Sequence, residues 1–228
     1  MAGKRRRKGE PRPLPVRVSD RGDQGRALEV GGVTQSVTVP KDGPSAPDAP
    51  AVEEEPLAGP YGGYWGLMLP PGCPRHALLL GFGGGTVATL LARRCLSVAI
   101  TGVERDPAVI AAARQDFSLD ALPRLTLAQA DAFAWMDETE VAGPRFDLVV
   151  VDLYEGGRLT MGTLTTRFLR QVAARLTPEG VATINLMVTG RTSEQIHRIE
   201  RVFTILRRLR TRGNLILHLS PRGAGATS

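Results

Sequence analysis

The chain has 228 residues, of which 42% are hydrophobic, and this is enough for one domain with a real core. It holds no apolar run of about 18 residues, and its basic start lacks the apolar stretch of a secretory signal, so a cytoplasmic protein without a membrane span is expected. The net charge of +6 arises mainly in residues 1–30, which hold nine Lys or Arg against four acids. The two cysteines, Cys73 and Cys95, fit neither a disulfide framework nor a metal site, and are expected to be ordinary thiols.

Composition divides the chain into a disordered basic tail (1–15), a small β region (16–39), a flexible linker (40–60), a main domain (61–220) and a C-terminal tail (221–228). The β region has partly alternating valines and leucines on both sides of Gly31-Gly32, which is typical of a hairpin turn. The linker is rich in Pro, Ala, Asp and Glu. Two or three short strands are therefore predicted before the main domain.

Hydrophobic periodicity in the main domain predicts alternating strands and helices. The predicted strands are 77–80, 97–103, 125–128, 146–151, 181–188 and 215–219, and the predicted helices are 86–94, 107–117, 132–137, 164–176 and 192–211. Thr177 to Gly180 is predicted to be a turn. This order indicates an α/β fold with a doubly wound, mostly parallel Rossmann-like sheet, in which ligands bind beyond the carboxyl ends of the strands.

A glycine turn follows the first predicted strand of this domain. Gly81 allows the chain to turn sharply, Gly83 allows a ligand to approach the backbone, and Gly85 allows the next helix to pack closely on the sheet. Glu104 ends the next strand, 23 residues after Gly81, where a carboxylate can accept hydrogen bonds from ribose hydroxyls. The unit therefore predicts a nucleoside-binding site.

Two more predicted strands are closely followed by an acid, Asp131 and Asp152. Because parallel strands share one carboxyl edge, these acids and Glu104 are expected to line one crevice. The Gly-x-Gly-x-Gly spacing without a basic residue differs from a dinucleotide turn. Asp131 and Ala132 suit the donors of an adenine edge. Together these features resemble the cofactor site of class I S-adenosylmethionine-dependent enzymes.

Within that superfamily, residues 16–40 and 61–190 resemble the spermidine synthase, or polyamine aminopropyltransferase, group. The matching segments are 28–36, 77–85, 103–107, 129–132 and 146–152. The resemblance implies S-adenosylmethionine or its decarboxylated form as the cofactor, and no metal. The implied cofactor-binding residues are Gln35, Gly81, Gly83, Gly85, Glu104, Asp131 and Ala132. It also implies that Asp152 takes a proton from a polyamine, Glu155 anchors the far ammonium and Tyr64 hydrogen-bonds the amine.

The chain departs from the family pattern at Gly84, where the family has an Asp that helps to hold the ammonium of decarboxylated S-adenosylmethionine. Its segment 103–107, Val-Glu-Arg-Asp-Pro, resembles the family's Val-Glu-Ile-Asp-Pro. Its segment 152–156 keeps the first acid of the family's Asp-Ser-x-Asp-Pro and has Glu155 in place of the second. Three functions stay open: aminopropyl transfer to a polyamine, methyl transfer to an unknown acceptor, and a binding module without catalysis. In the last, the basic tail and an arginine-rich final helix would contact nucleic acid or a partner. A small-molecule substrate is expected, a homodimer is one option, and nucleic acid is not expected.

Overall fold

The computed structural model describes residues 14–22, 25–39, 63–138 and 143–223. Most of the predicted basic tail, the predicted linker and residues 224–228 lie outside this part of the chain. The strands are β1 (Val16–Asp20), β2 (Arg26–Val30), β3 (Val33–Val37), β4 (His76–Leu80), β5 (Ala99–Glu104), β6 (Leu125–Gln129), β7 (Phe146–Val151), β8 (Tyr154–Glu155), β9 (Arg158–Leu159), β10 (Leu176–Met187), β11 (Phe203–Arg210) and β12 (Asn214–Pro221). The helices are α1 (Thr86–Arg94), α2 (Pro107–Asp116), α3 (Ala132–Glu138), α4 (Thr166–Ala174) and α5 (Thr192–Glu200), with 3-10 turns at Trp65–Met68 and Leu119–Ala121.

Seven strands form the main sheet in the order β11-β12-β10-β7-β4-β5-β6. β10, β7, β4, β5 and β6 are parallel, and β12 and β11 join them antiparallel. Side chains of β4 alternate between two buried clusters, because successive residues of a strand point to opposite faces. α1 packs on one face and α3, α4 and α5 on the other. The predicted Rossmann-like fold class is confirmed.

The N-terminal sheet consists of β1, β2 and β3 in an antiparallel meander. Its second turn is Gly31-Gly32, as predicted, with φ values of 61° and 80° that favour glycine. Leu28 packs with Val109 and Phe117 of the α2 region, and Val37 exchanges two backbone hydrogen bonds with the Thr86 hydroxyl, at 2.9 and 2.8 Å. The small sheet is therefore held against the start of α1, directly beside the glycine turn.

The predicted helix over 192–211 is wrong beyond Glu200, because the chain forms the short helix α5 and then β11. β11 pairs antiparallel with β12, and Phe203 and Leu209 are buried in it, whereas Leu206 is 49% exposed. Helical spacing of apolar residues cannot reveal this pairing, since the hydrogen-bond partner lies later in the chain. The arginines at 207, 208 and 210 therefore lie on an edge strand and not on a helix.

The predicted turn from Thr177 to Gly180 is also wrong, since these residues lie inside the long strand β10. The register against β7 shifts between Leu176 and Val181, which marks a bulge or irregularity at this point. A Cβ on Gly180 would lie 2.8 Å from the carbonyl oxygen of Phe146, so the glycine allows the two strands to approach. Pro178 and Gly180, which led to the prediction of a turn, therefore belong to an irregular part of a strand.

The expectation of free thiols is wrong: Cys73 and Cys95 form a disulfide, with Cα atoms 5.4 Å apart. The bond joins the segment before β4 to the residue that ends α1. Cys95 is buried and Cys73 is exposed. The pairing depends on how α1 folds back along β4, and spacing in the sequence does not show that. Within the described residues, no helix is both long and apolar enough to span a membrane.

Candidate active site

A cavity of about 550 Å³ opens at the carboxyl ends of the central parallel strands. Glu104 at the end of β5, Asp131 after β6 and Asp152 after β7 all line it. The N-terminal sheet supplies another wall through Gln35 and Ser36. The structure thus brings the three predicted strand-end acids to one site and adds a wall from outside the main sheet.

The glycine turn forms the floor of this cavity. Gly81 has a φ of 83°, and a Cβ there would collide with the carbonyl oxygen of Asp152. Gly83 has a φ of 56° and lines the cavity. Gly85, a predicted cofactor residue, instead caps α1, and a Cβ on it would lie 2.8 Å from Leu119 and 2.9 Å from Phe82. Gly81 and Gly83 therefore shape the site, whereas Gly85 serves packing.

Glu104 ties the end of β5 to the glycine turn. Its Oε2 accepts a hydrogen bond from the backbone N–H of Gly83 at 2.9 Å, and its Oε1 accepts one from that of Asp106 at 3.1 Å. Each carboxylate oxygen can accept more than one hydrogen bond. The half-buried carboxylate is therefore oriented and still able to bind a ligand hydroxyl.

Asp131 is the cap of α3. Its Oδ1 accepts hydrogen bonds from the backbone N–H groups of Phe133 and Ala134, at 2.9 and 3.1 Å. Ala132 is buried beside it, and both residues line the cavity. The cap fixes the carboxyl group of this exposed residue at the cavity.

Position 84, where the resemblance expects an acid, faces the N-terminal sheet. The N–H of Gly84 donates to the hydroxyl of Ser36 at 2.7 Å, and that hydroxyl donates to the carbonyl of Gln35 at 2.7 Å. A Cβ on Gly84 would lie 2.8 Å from the Cβ of Ser36 and 3.3 Å from the ring of Phe117. An aspartate therefore does not fit at this position unless the small sheet moves.

Asp152 is held by two side chains from different parts of the chain. The hydroxyl of Tyr64 donates to its Oδ2 at 2.8 Å, and the amide of Asn185 donates to its Oδ1 at 2.9 Å. Burial raises the pKa of Asp152, while the hydrogen bonds from Asn185 and Tyr64 act to lower it. Burial, followed by the charge of Asp152, raises the pKa of Tyr64 well above its ordinary value. Tyr64 thus stays protonated and donates to the carboxylate.

Sequence reasoning missed Asn185 and Tyr154. Asn185 is a buried polar residue within the apolar run of β10, and such a residue could have signalled a site. The hydroxyl of Tyr154 donates to the carbonyl of Asn185 at 3.1 Å and accepts from the N–H of Met187 at 2.9 Å. Burial is also the main cause that raises the pKa of Tyr154. Tyr154 lines the cavity beside Asp152.

Glu155 carries an ion pair. Its Oε1 lies 2.9 Å from Nη2 of Arg105, and the two side chains are 53% and 46% exposed. Both residues line the cavity. The acid predicted to anchor a far ammonium therefore already has a cationic partner.

Comparison with known families and proteins is consistent with this geometry. Residues 77–180 match a family model described as a methyltransferase domain. Over 116 residues the chain is 35% identical to the polyamine aminopropyltransferase of Mycobacterium tuberculosis (strain CDC 1551 / Oshkosh), a match that covers 48% of this chain and 22% of that protein. The chain therefore spans only about a fifth of the length of this curated relative.

Solved structures of other proteins share the fold. Human methyltransferase-like protein 13 in complex with SAH is 25% identical with a TM-score of 0.59, and the match covers 68% of this chain and 75% of that one. Spermidine synthase from Thermotoga maritima is 15% identical with a TM-score of 0.61, covering 95% of this chain and 72% of that one. The chain thus has the fold of class I S-adenosylmethionine-dependent methyltransferases, with partial homology to polyamine aminopropyltransferases. The domain match and the named relatives are similarities of sequence and fold, and they concern the part of the chain that forms the cavity.

Proposed function

We propose that the protein transfers an aminopropyl group from decarboxylated S-adenosylmethionine to an amine. The observation that carries the proposal is the Asp152 carboxylate, which lines the cavity and is held by Tyr64 and Asn185. The amine that accepts the aminopropyl group is a cation at pH 7 and must lose a proton before its nitrogen can attack. Asp152 is placed to be the base that takes this proton. The partial homology to a polyamine aminopropyltransferase supports the same chemistry.

The cavity fits the cofactor by the chemistry of its lining. Glu104 presents an oriented carboxylate for two ribose hydroxyls, and Gly83 leaves room for close approach. Asp131 and Ala132 would meet the adenine edge, and Gln35 would contact the cofactor from the small sheet. When bound, the cofactor would supply an electrophilic carbon next to a sulfonium sulfur: the amine nitrogen would bond to this carbon as the carbon–sulfur bond breaks, and 5′-methylthioadenosine would leave.

Asp152 would bind the acceptor ammonium and take one of its protons. Burial raises the pKa of this carboxyl group, and a higher pKa makes it a better proton acceptor near neutral pH. Tyr64 and Asn185 restrict the carboxylate to one orientation, and its remaining lone pairs can accept from the amine. Fixing the amine close to the donor carbon supplies a further large part of the rate.

The charges of the lining favour a cationic acceptor. Its acidic residues are Glu104, Asp106, Asp131, Asp152 and Glu155, and its basic residue is Arg105. An excess of one sign in a partly enclosed site raises the local concentration of ligands with the opposite charge. An amine acceptor is therefore a better match than a phosphorylated one.

Methyl transfer from ordinary S-adenosylmethionine is the second candidate, and Gly84 is the observation that favours it. No carboxylate at position 84 pairs with the ammonium of the decarboxylated cofactor or repels the carboxylate of the ordinary one. The likeness to human methyltransferase-like protein 13 in complex with SAH points the same way. Asp152 would then orient an acceptor nitrogen or oxygen.

Calorimetric titration of both cofactors separates the candidates. We expect the decarboxylated form to bind and then to alkylate 1,4-diaminobutane or 1-aminobutane, which mass spectrometry detects as a mass increase of the amine. If only ordinary S-adenosylmethionine binds and the amine is methylated, the proposal of aminopropyl transfer is wrong and methyl transfer takes its place. If neither form binds or raises the melting temperature, both enzymatic proposals fail and the binding module remains.

A further inference from the structure

The Arg105–Glu155 ion pair crosses the mouth of the cavity. Arg105 directly follows β5, and Glu155 lies in β8, which follows β7. In the sheet, β4 lies between β5 and β7, so the pair spans the strand end that carries the glycine turn. A ligand that occupies the cavity beneath the pair therefore meets both charges.

The hairpin that carries Glu155 is packed against the N-terminal part of the protein. Its tip is formed by Gly156 and Gly157, with φ values of 54° and 74°. A Cβ on Gly156 would lie 3.3 Å from the side chain of Leu14, and a Cβ on Gly157 would lie 3.3 Å from that of Val33. Because the tip is in contact with these residues, Glu155 is presented from a supported hairpin.

The ion pair reduces the negative charge that an acceptor meets. Three acids line the part of the cavity that is proposed to bind the cofactor, and their carboxylates accept hydrogen bonds from backbone N–H groups. They are Glu104, Asp106 and Asp131. On the acceptor side, Asp152 accepts from the neutral donors Tyr64 and Asn185, whereas Glu155 is compensated by Arg105. On the acceptor side, Asp152 is therefore the carboxylate that is left without a cationic partner.

We propose that Arg105 is a specificity-determining residue that cancels the advantage of diamines over singly charged amines, an inference that rests on the proposed function. One ammonium group binds Asp152. The second ammonium of a diamine reaches Glu155 only by displacing the guanidinium, so a new ion pair replaces an existing one with little gain.

The test compares 1-aminobutane with 1,4-diaminobutane, which differ by one charged end. Calorimetry measures the affinity of each amine for the protein saturated with S-adenosylhomocysteine or 5′-methylthioadenosine. We expect similar affinities for wild type. In Arg105→Met, the diamine should bind about two- to fivefold more tightly, the range of an exposed ion pair, while 1-aminobutane is unaffected.

Three controls isolate the charge effect. Adding Glu155→Gln to Arg105→Met should abolish the tighter binding of the diamine. High salt should weaken the same effect. Arg114→Met, at an exposed position of α2, should not reproduce it. An unchanged ratio of the two affinities in Arg105→Met overturns the role of Arg105, as does a wild-type preference for the diamine of tenfold or more. If neither amine binds with either nucleoside, the proposed function fails as well.

Discussion

The side-chain amide of Asn185 donates to Oδ1 of Asp152 at 2.9 Å, while its own oxygen accepts from the amide of Asn214 at 2.9 Å. Since an amide oxygen only accepts, the contact with Asn214 turns the NH₂ group toward Asp152. The hydroxyl of Tyr64 occupies the other oxygen of the carboxylate. The orientation of Asp152 therefore depends on three segments that are far apart in sequence.

Asp152→Asn should reduce the transfer rate by ~10²–10⁴-fold, since a general base contributes about that much. Cofactor affinity should not change, because the cofactor residues are separate from this side chain. Stopped assays of alkylated amine, with calorimetry of the cofactor, test both statements. A rate equal to wild type would remove Asp152 from the chemistry.

Melting curves of Asp152→Asn provide the control for folding. Because burial raises the pKa of Asp152, its contribution to folding stability is fully present at low pH and is lost as pH rises through that pKa. Asparagine does not ionise. The melting temperature of the variant relative to wild type should therefore increase with pH, and a decrease would contradict the direction of the pKa shift.

Asn185→Ala should move the acid limb of the pH–rate profile to higher pH. In wild type, the hydrogen bond from Asn185 lowers the pKa of Asp152. The variant lacks this bond, so the pKa of Asp152 rises further. Asp152 must be ionised to take a proton, and activity is then lost earlier on acidification. Asn214→Ala should shift the limb in the same direction but less, because it acts through Asn185. An unmoved limb in Asn185→Ala would show that the amide does not control the base.

Glu104→Gln should weaken cofactor binding about 10- to 100-fold, because hydrogen bonds to a charged group are the stronger ones. Glu104→Ala should bind still more weakly and also lose about 1 kcal/mol of folding free energy, since it leaves the N–H groups of Gly83 and Asp106 without this acceptor. Calorimetry and urea denaturation separate the two effects. Glu29→Gln on β2 is the matched control, and equal affinity in all three variants would refute the ribose assignment.

Gly84→Ala should destabilise the protein by about 1–3 kcal/mol, because the added methyl group would lie 2.8 Å from the Cβ of Ser36. Ser36→Gly removes that obstacle at the cost of the hydrogen bond to Gly84. The double variant should therefore be more stable than the sum of the single changes predicts, which a double-mutant cycle in urea measures. If the effects of the two substitutions on the free energy of unfolding simply add, a side chain at position 84 does not contact Ser36.

Reduction of the Cys73–Cys95 disulfide should lower the free energy of unfolding by about 3 kcal/mol, from the loop of 22 residues that it closes. Urea denaturation with and without a reductant measures the change. The variant with Cys73→Ser and Cys95→Ser should have the same free energy of unfolding as the reduced protein, and the reductant should not change it. A wild-type protein that is indifferent to the reductant would contradict the bond.

Local signals were sufficient for the centre of the fold. The run from β4 to α2 follows from continuous apolar residues, glycines and the Asp106-Pro107 cap, all of which act within a few residues. β11 was mistaken for helix because its strand form depends on pairing with β12. The same limit applies to Asn185, whose partners Asp152 and Asn214 come from other strands.

Residue pattern alone is enough to predict the α/β class, the glycine turn and the three acids at strand ends, because a parallel sheet brings those ends to one edge. Which side chains meet at this edge depends on the tertiary structure. It placed Ser36 over Gly84, Asn185 against Asp152 and Arg105 against Glu155. Each of these contacts joins residues at least 33 positions apart, and their distances follow from how whole elements pack and not from spacing along the chain.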